Sequence, residues 1–350
     1  MRIEQLDTPV AIVDLDIMEA NITRAQRYLD RYEIANRPHI KTHKIPAIAK
    51  MQVHAGAVGI TCQKLGEAEI MVAAGLQDIF IPYNLVGEIK LARLASLMTR
   101  ANITVTADSL YTIEGLSTAA QTAGRDLTVL VEFDSGAGRC GVQTPGEAAI
   151  LALAIANAEG LRFGGLMTYP TTEETDVFAR QTKALLAQEG LSVPVVSGGG
   201  TNTLWRAHEH SEVTEHRAGM YLFGDRYTVQ GGGVALENCA FKIISTVVSR
   251  PTTDRGVLDG GSKTFSSDRP GGLEGFGLIL DYPDARIYAQ SEEHGHVDLS
   301  LCAHKPQIGE RVTVIPNHCC VVVNLFNELV GVRNGEVKQS WPVAARGALQ

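Results

Sequence analysis

Short apolar runs alternate with amphipathic stretches from Pro9 to Gly200. The runs cover residues 11–13, 38–40, 58–61, 79–81, 103–106, 127–133, 163–169 and 193–197. Between them, residues 17–32, 66–74, 88–97, 110–122 and 147–157 carry apolar side chains every three or four positions, the period of a helix with one buried face. Brief continuous apolar runs suit strands covered on both sides. Eight such strand–helix units predict an α/β fold, a closed (β/α)8 barrel of the TIM type spanning residues 8–235. A doubly wound open sheet is the alternative. Its glycine-rich turn after a first strand is missing, because Val13 leads into Asp14-Leu15-Asp16.

Beyond Asp225 the helical period fades. Residues 241–248, 256–259, 286–288, 296–301, 312–315, 321–325 and 329–332 read as strands separated by turn residues. Asn334-Gly335 has the composition of a tight hairpin turn. Residues 236–350 are expected to form an all-β C-terminal domain, with residues 1–7 as candidates to pair with it.

Composition narrows the partners. Of 350 residues, 45% are hydrophobic and 20% charged, ordinary for a folded protein. The net charge of −8 argues against nucleic acid as the main partner. Six scattered cysteines are no disulfide framework and suit a reducing cytoplasm. No basic-then-apolar leader and no apolar run of membrane length occurs, so neither secretion nor a membrane span is expected.

The catalytic rim of such a barrel is built from the C-terminal ends of its strands. Lys41 ends the second run, in Arg37-Pro38-His39-Ile40-Lys41-Thr42-His43-Lys44, and is placed to act as a nucleophile. His39 and His43 stand beside it as candidate bases. Other strand ends supply Gln63, Arg139 and Tyr169. The last supplies Ser197-Gly198-Gly199-Gly200-Thr201-Asn202-Thr203, a nest whose main-chain N–H groups and Thr201 hydroxyl could hold a phosphate. A lysine and a phosphate nest on one rim suggest pyridoxal 5'-phosphate. Lys41 would carry it as a Schiff base, and Gly199, Gly200 and Thr201 would hold its phosphate. Arg139 would reach the ring's phenolic oxygen. Tyr221 is a further phosphate or substrate candidate. In the β domain, Pro316-Asn317-His318-Cys319-Cys320 puts His318 and Cys320 on one face of a predicted strand, a nitrogen–sulfur pair suited to zinc. Cys319 would then point into packing. The cluster Ser291-Glu292-Glu293-His294-Gly295-His296 is expected to be a solvated hairpin.

Residues 37–44, 198–203, 259–263, 291–295 and 316–320 occur in an order that resembles the D-threonine aldolase / D-serine dehydratase family, alanine-racemase-like pyridoxal-phosphate enzymes of fold type III. The resemblance runs from about residue 8 to residue 347. It implies a barrel plus a β domain, a homodimer, and a divalent metal beside the cofactor, zinc or else manganese or magnesium. It makes Lys41 the Schiff-base lysine and His318 and Cys320 the metal ligands. The implied activity is a lyase on D-β-hydroxy amino acids, giving glycine and an aldehyde. The alternative is elimination to an oxo acid and ammonia, as in a D-serine dehydratase. Two positions depart from the aldolase pattern: Cys320 stands where the aldolases usually carry aspartate, and Pro170 follows Tyr169 where they carry histidine. A racemase on this fold would need a second base opposite Lys41 and no metal. A non-catalytic cofactor carrier lacks the β domain that residues 236–350 supply.

Overall fold

The computed structural model describes residues 1–350. It divides into two compact units, each assembled from separate stretches of chain. One comprises Ala25–Lys41, Pro46–Gly219 and Ala348–Gln350; the other comprises Met1–Arg24, Thr42–Ile45 and Met220–Gly347. No helix is long and apolar enough to cross a membrane.

The first unit is the barrel. Its parallel strands are Ala35–Asn36, Ile60–Thr61, Asp78–Ile81, Asn102–Ala107, Leu127–Glu132, Leu161–Met167, Val195–Gly198 and Glu215–His216. The last pairs with both Val195–Gly198 and Ala35–Asn36. A single bridge from His39 to Thr61, with the Thr61 N–H donating to the Pro38 carbonyl, closes the ring. Val129, Val131, Leu166 and Val196 are fully buried, as strands covered on both faces require. The helices between strands begin and end on local signals. Ser109 Oγ accepts from the Thr112 N–H at the start of Leu110–Ala123, and Gly124 ends that helix in the left-handed region. Thr144 and Glu147 form a reciprocal cap at the start of Pro145–Asn157.

Two strand expectations are corrected here. The run at residues 11–13 does not open the barrel. It lies in Val10–Asp14, inside a nine-stranded sheet of the second unit, antiparallel to Phe241–Thr252 and parallel to Glu328–Arg333. An apolar run reports burial on both faces but not which sheet provides it. The eighth barrel strand is instead Glu215–His216, two polar residues that leave no apolar trace. Of the two, Glu215 is satisfied, accepting from Arg37 Nε and from Ser197 Oγ, each at 2.6 Å, while the buried His216 ring has no hydrogen-bond partner.

The second unit is built on that nine-stranded sheet, which includes Arg255–Leu258, Arg286–Gln290, Gly295–Asp298, Arg311–Ile315 and Glu336–Pro342. Asn334 and Gly335, both at positive φ, make the hairpin turn between its last two strands. Residues 1–3 pair along the same edge, through an Arg2–Glu336 bridge and the Ile3 N–H to the Gly335 carbonyl. The expected strand at 321–325 is a correction of a different kind. Its valine-rich sequence favours a strand, yet Cys319–Val323 is a short helix. The Asp225 carboxylate accepts from the Cys319 N–H at 2.9 Å and fixes the helical start.

Candidate functional site

Lys41 lies in the 3-10 turn Ile40–Thr42, just past the strand Ala35–Asn36. It is half-buried, with Nζ 5.8 Å from the Tyr169 ring centroid. The Arg139 guanidinium is 5.2 Å from the same ring. Two cations near one aromatic ring gather three predicted residues from three strand ends. Arg139 also pairs with the buried Glu132 at 3.5 Å. Burial raises the Glu132 carboxyl above its ordinary range, and Arg139 opposes that rise.

His39 is held beneath this rim. The Lys41 backbone N–H donates to its Nδ1 at 3.3 Å, and its Nε2 is 3.0 Å from Gln63 Oε1. Gln63 in turn donates from Nε2 to the Pro82 carbonyl at 3.3 Å. With Nδ1 accepting, the ring proton sits on Nε2 and is donated to Gln63. Burial, then the nearby Lys41 charge, pushes the imidazole well below its ordinary value. His39 is thus a neutral ring with its one lone pair engaged.

The loop after Val195–Gly198 is tied to the neighbouring strand end. The Gly199 N–H donates to Thr171 Oγ1 at 2.8 Å, and the Thr171 N–H donates to the Gly199 carbonyl. The Gly199 amide therefore has a protein acceptor. Gly200 sits at φ +128°, Thr201 is buried, and the Asn202 side-chain oxygen is buried without a partner.

In the β-rich unit, His318 precedes the helix Cys319–Val323 in extended conformation, and Cys320 is that helix's second residue. The strand geometry expected to align them is absent, yet the Cys320 thiol is close enough to the imidazole to raise its pKa. The other side of the ring is taken by Asp268, with Nδ1 at 2.5 Å from Oδ2. Burial alone would lower the His318 pKa, but Cys320 and Asp268 carry it up to about 9. Cys319 is fully buried, pointing into packing, and its thiol is pushed well above its ordinary value by that burial. No three His, Cys, Asp or Glu side chains converge as a complete ligand set.

The remaining predicted residues have other surroundings. His43 is fully buried in the β-rich unit, edge-on to Phe223, and its Nδ1 accepts from the Ile45 N–H at 3.0 Å. Tyr221 is buried in that same unit. The cluster at 291–296 is an exposed hairpin whose Glu292 and Glu293 pair with Lys263 at 2.7 and 2.9 Å. Gly261 lets it dock closely, since a Cβ there would lie 2.3 Å from the Ser291 carbonyl oxygen.

Comparison with known proteins agrees with this layout. Residues 13–227 match the alanine racemase N-terminal domain family, and residues 240–332 match a putative serine dehydratase domain. The chain belongs to the alanine racemase N-terminal domain family. Its relatives in this family include the D-threonine aldolase of Arthrobacter sp., 37% identical over 98% of this chain and 93% of that protein. The D-threonine aldolase structure from Filomicrobium marinum superposes with a TM-score of 0.91 at 33% identity, covering 100% of this chain and 98% of the other. A D-threo-3-hydroxyaspartate dehydratase with one cysteine changed to alanine, in a metal-free form, superposes with a TM-score of 0.86 at 29% identity over 98% of both chains. The family is one of pyridoxal-phosphate enzymes.

Two residues of this alanine racemase family member escaped the sequence reading. Arg217 follows the polar eighth strand. It is buried, donates to Ser197 Oγ at 2.5 Å and to the Thr168 carbonyl at 2.8 Å, and lies 5.5 Å from the Phe80 ring. Burial lowers its pKa to about 10 against the pull of Glu215. Asp268 is the other, 50 residues before the histidine it braces. No periodic signal marks either. A charged residue amid a buried segment was the available clue for Arg217.

Proposed function

We propose that this chain is a pyridoxal-phosphate- and divalent-metal-dependent lyase that cleaves D-3-hydroxy amino acids between Cα and Cβ, giving glycine and an aldehyde. The observation that carries the reading is Lys41 Nζ on the barrel rim, sharing the Tyr169 ring with Arg139. The residues fit the cofactor. Gly200, at φ +128°, and the buried Thr201 provide an open-backbone turn that can close around a phosphate. Gly199 would shape that turn and not donate to it, because its N–H is spent on Thr171. The donor set likewise fits a metal: an imidazole and a thiol suit zinc, and a carboxylate behind the imidazole is the usual brace of a metal-bound histidine.

When bound, pyridoxal phosphate supplies an electron sink for charge developing at Cα. When bound, the metal ion supplies a Lewis acid for the substrate hydroxyl. Lys41 Nζ is the group that moves the proton at Cα. In cleavage the substrate hydroxyl loses its proton, the Cα–Cβ bond breaks, and Lys41 returns a proton to Cα to make glycine. Arg139 and Tyr169 wall the space above Lys41 and orient what lies there.

A second reading, β-elimination to an oxo acid and ammonia, is favoured by the two histidines. His39 and His43 both accept a backbone N–H on Nδ1 and so keep their proton on Nε2. Neither is set to remove the hydroxyl proton that cleavage requires. Elimination needs no such base, because Lys41 takes the α-proton and the hydroxyl departs. Incubation with D-threonine separates the two: acetaldehyde with glycine marks cleavage, and 2-oxobutanoate with ammonia marks elimination. Racemisation alone, undiminished by a chelator, would overturn both.

Asp268 gives a graded test of the metal reading. Asp268→Asn should weaken metal binding by roughly 10–100-fold, as loss of a histidine's carboxylate brace does elsewhere. Competition with a chromophoric chelator measures it, and an unchanged affinity would remove Asp268 from the site.

A further inference from the structure

Cys320 has a polar partner that neither the motif nor the family match assigns. Its sulfur lies 3.3 Å from Thr42 Oγ1. Thr42 is fully buried, 278 residues away in sequence. The same two segments are tied again. Lys44 Nζ donates to Asn324 Oδ1 at 3.1 Å, and Asn324 caps the helix Cys319–Val323 at its far end. The strap at residues 343–347 fastens over both. The Ala345 N–H donates to the Lys44 carbonyl at 3.1 Å, and the Gly347 N–H donates to Asn324 Oδ1 at 3.2 Å. Lys44 adopts φ +56°, a conformation uncommon for a residue with a Cβ, and is buried there. A five-residue helix has no stability of its own. Its orientation, and with it the direction of the Cys320 sulfur, is set by these ties at both ends.

We propose that Thr42 is a positioning residue for the metal donor Cys320, holding its sulfur by a hydrogen bond within the brace formed by residues 42–45, the helix Cys319–Val323 and Asn324. This rests on the reading that His318 and Cys320 hold the ion. As drawn, the thiol donates to Thr42 Oγ1. A metal-bound sulfur has lost that proton, so the Thr42 hydroxyl rotates and donates to the thiolate. The bond then does two things. It stabilises the anionic sulfur in a buried setting, and it aims the remaining lone pair. Thr42 is well suited to this, because its β-branched side chain has few rotamers to choose from.

The test uses the full-length holoenzyme loaded with Co²⁺, whose sulfur-to-metal charge-transfer band reports the thiolate directly. Thr42→Val should weaken metal affinity by roughly 10–100-fold and shift that band. Thr42→Ser, which restores the hydroxyl, should bring both back towards the wild-type values. A purely packing role would make Val the better replacement and Ser the worse. Should Thr42→Val not fold, Thr42→Ala read against Thr42→Ser gives the same contrast. Because Thr42 follows Lys41 in the chain, the visible cofactor absorbance is recorded for each variant and should not change. The outcomes separate cleanly. If wild-type protein shows no band that Cys320→Ala abolishes, the metal reading itself fails. If that band exists but Thr42→Val leaves its position and the affinity unaltered, the assignment of Thr42 is overturned and the metal reading stands.

Discussion

Lys41→Ala is expected to yield a folded protein that no longer carries covalently bound pyridoxal phosphate and turns over at least ~10³-fold more slowly. Folding should survive because Lys41 is half-buried at a turn and its side chain fills no part of the apolar core. The chemistry should not survive, because the same nitrogen is asked both to hold the cofactor and to move the proton at Cα. Borohydride reduction followed by peptide mapping makes the assignment checkable. In the wild type the label should fall on Lys41. Lys44 and Lys64 are rivals to which the structure gives another occupation, and Lys50 is exposed on the helix Pro46–His54. Lys44 reaches Asn324, and Lys64 lies 4.0 Å over the Tyr83 ring. Label on any of the three, or retention of the visible band in Lys41→Ala, would sink the assignment.

The second large effect is at the metal donors. His318→Ala and Cys320→Ala should each lose the bound ion and lower turnover by at least ~10²-fold, since Lewis-acid assistance is worth several kcal/mol. The visible cofactor absorbance should remain, which distinguishes this loss from that of Lys41→Ala. Exhaustive chelation of the wild type should reproduce the variant phenotype, and zinc or manganese should restore activity to the wild type but not to Cys320→Ala. The expected ordering is Cys320→Ala and His318→Ala below Asp268→Asn, because removing a donor costs more than removing the group that orients it. Full activity in a preparation whose metal content is measured at well under one ion per chain would refute the role. The buried Asp225 gives a further control: its carboxylate is spent on the Cys319 and Thr228 N–H groups, so it holds the helix in place and contributes no donor.

Much of this was legible from pattern alone. The run at 127–133 became the strand Leu127–Glu132, and the amphipathic stretch at 147–157 lies in the helix Pro145–Asn157. What escaped did so for physical reasons. Glu215–His216 is a short polar strand whose Glu215 pairs with Arg37 beside the neighbouring strand, and such residues carry no hydrophobic period. Residues 11–13 have the burial of a barrel strand in a different sheet. The pair His318 and Cys320 was singled out from its spacing on a supposed strand, where the chain instead starts the helix Cys319–Val323. The residues that hold it, Asp268 and Thr42, are 50 and 278 positions distant. Only the folded chain makes them neighbours.

The strand Val10–Asp14 also sets an order of events during synthesis. Its antiparallel partner begins at Phe241 and its parallel partner at Glu328, so it leaves the ribosome long before either. At about 5–20 residues per second, the first partner arrives roughly 10–45 s later and the second later still. Throughout that interval Ala11, Ile12 and Val13, all buried in the finished sheet, are unpaired backbone with apolar side chains. The barrel strands from Ile60–Thr61 to Glu215–His216, by contrast, each pair with the next strand to emerge. Nascent chains of this protein should therefore need chaperone cover over Val10–Asp14 until Glu328–Arg333 has emerged.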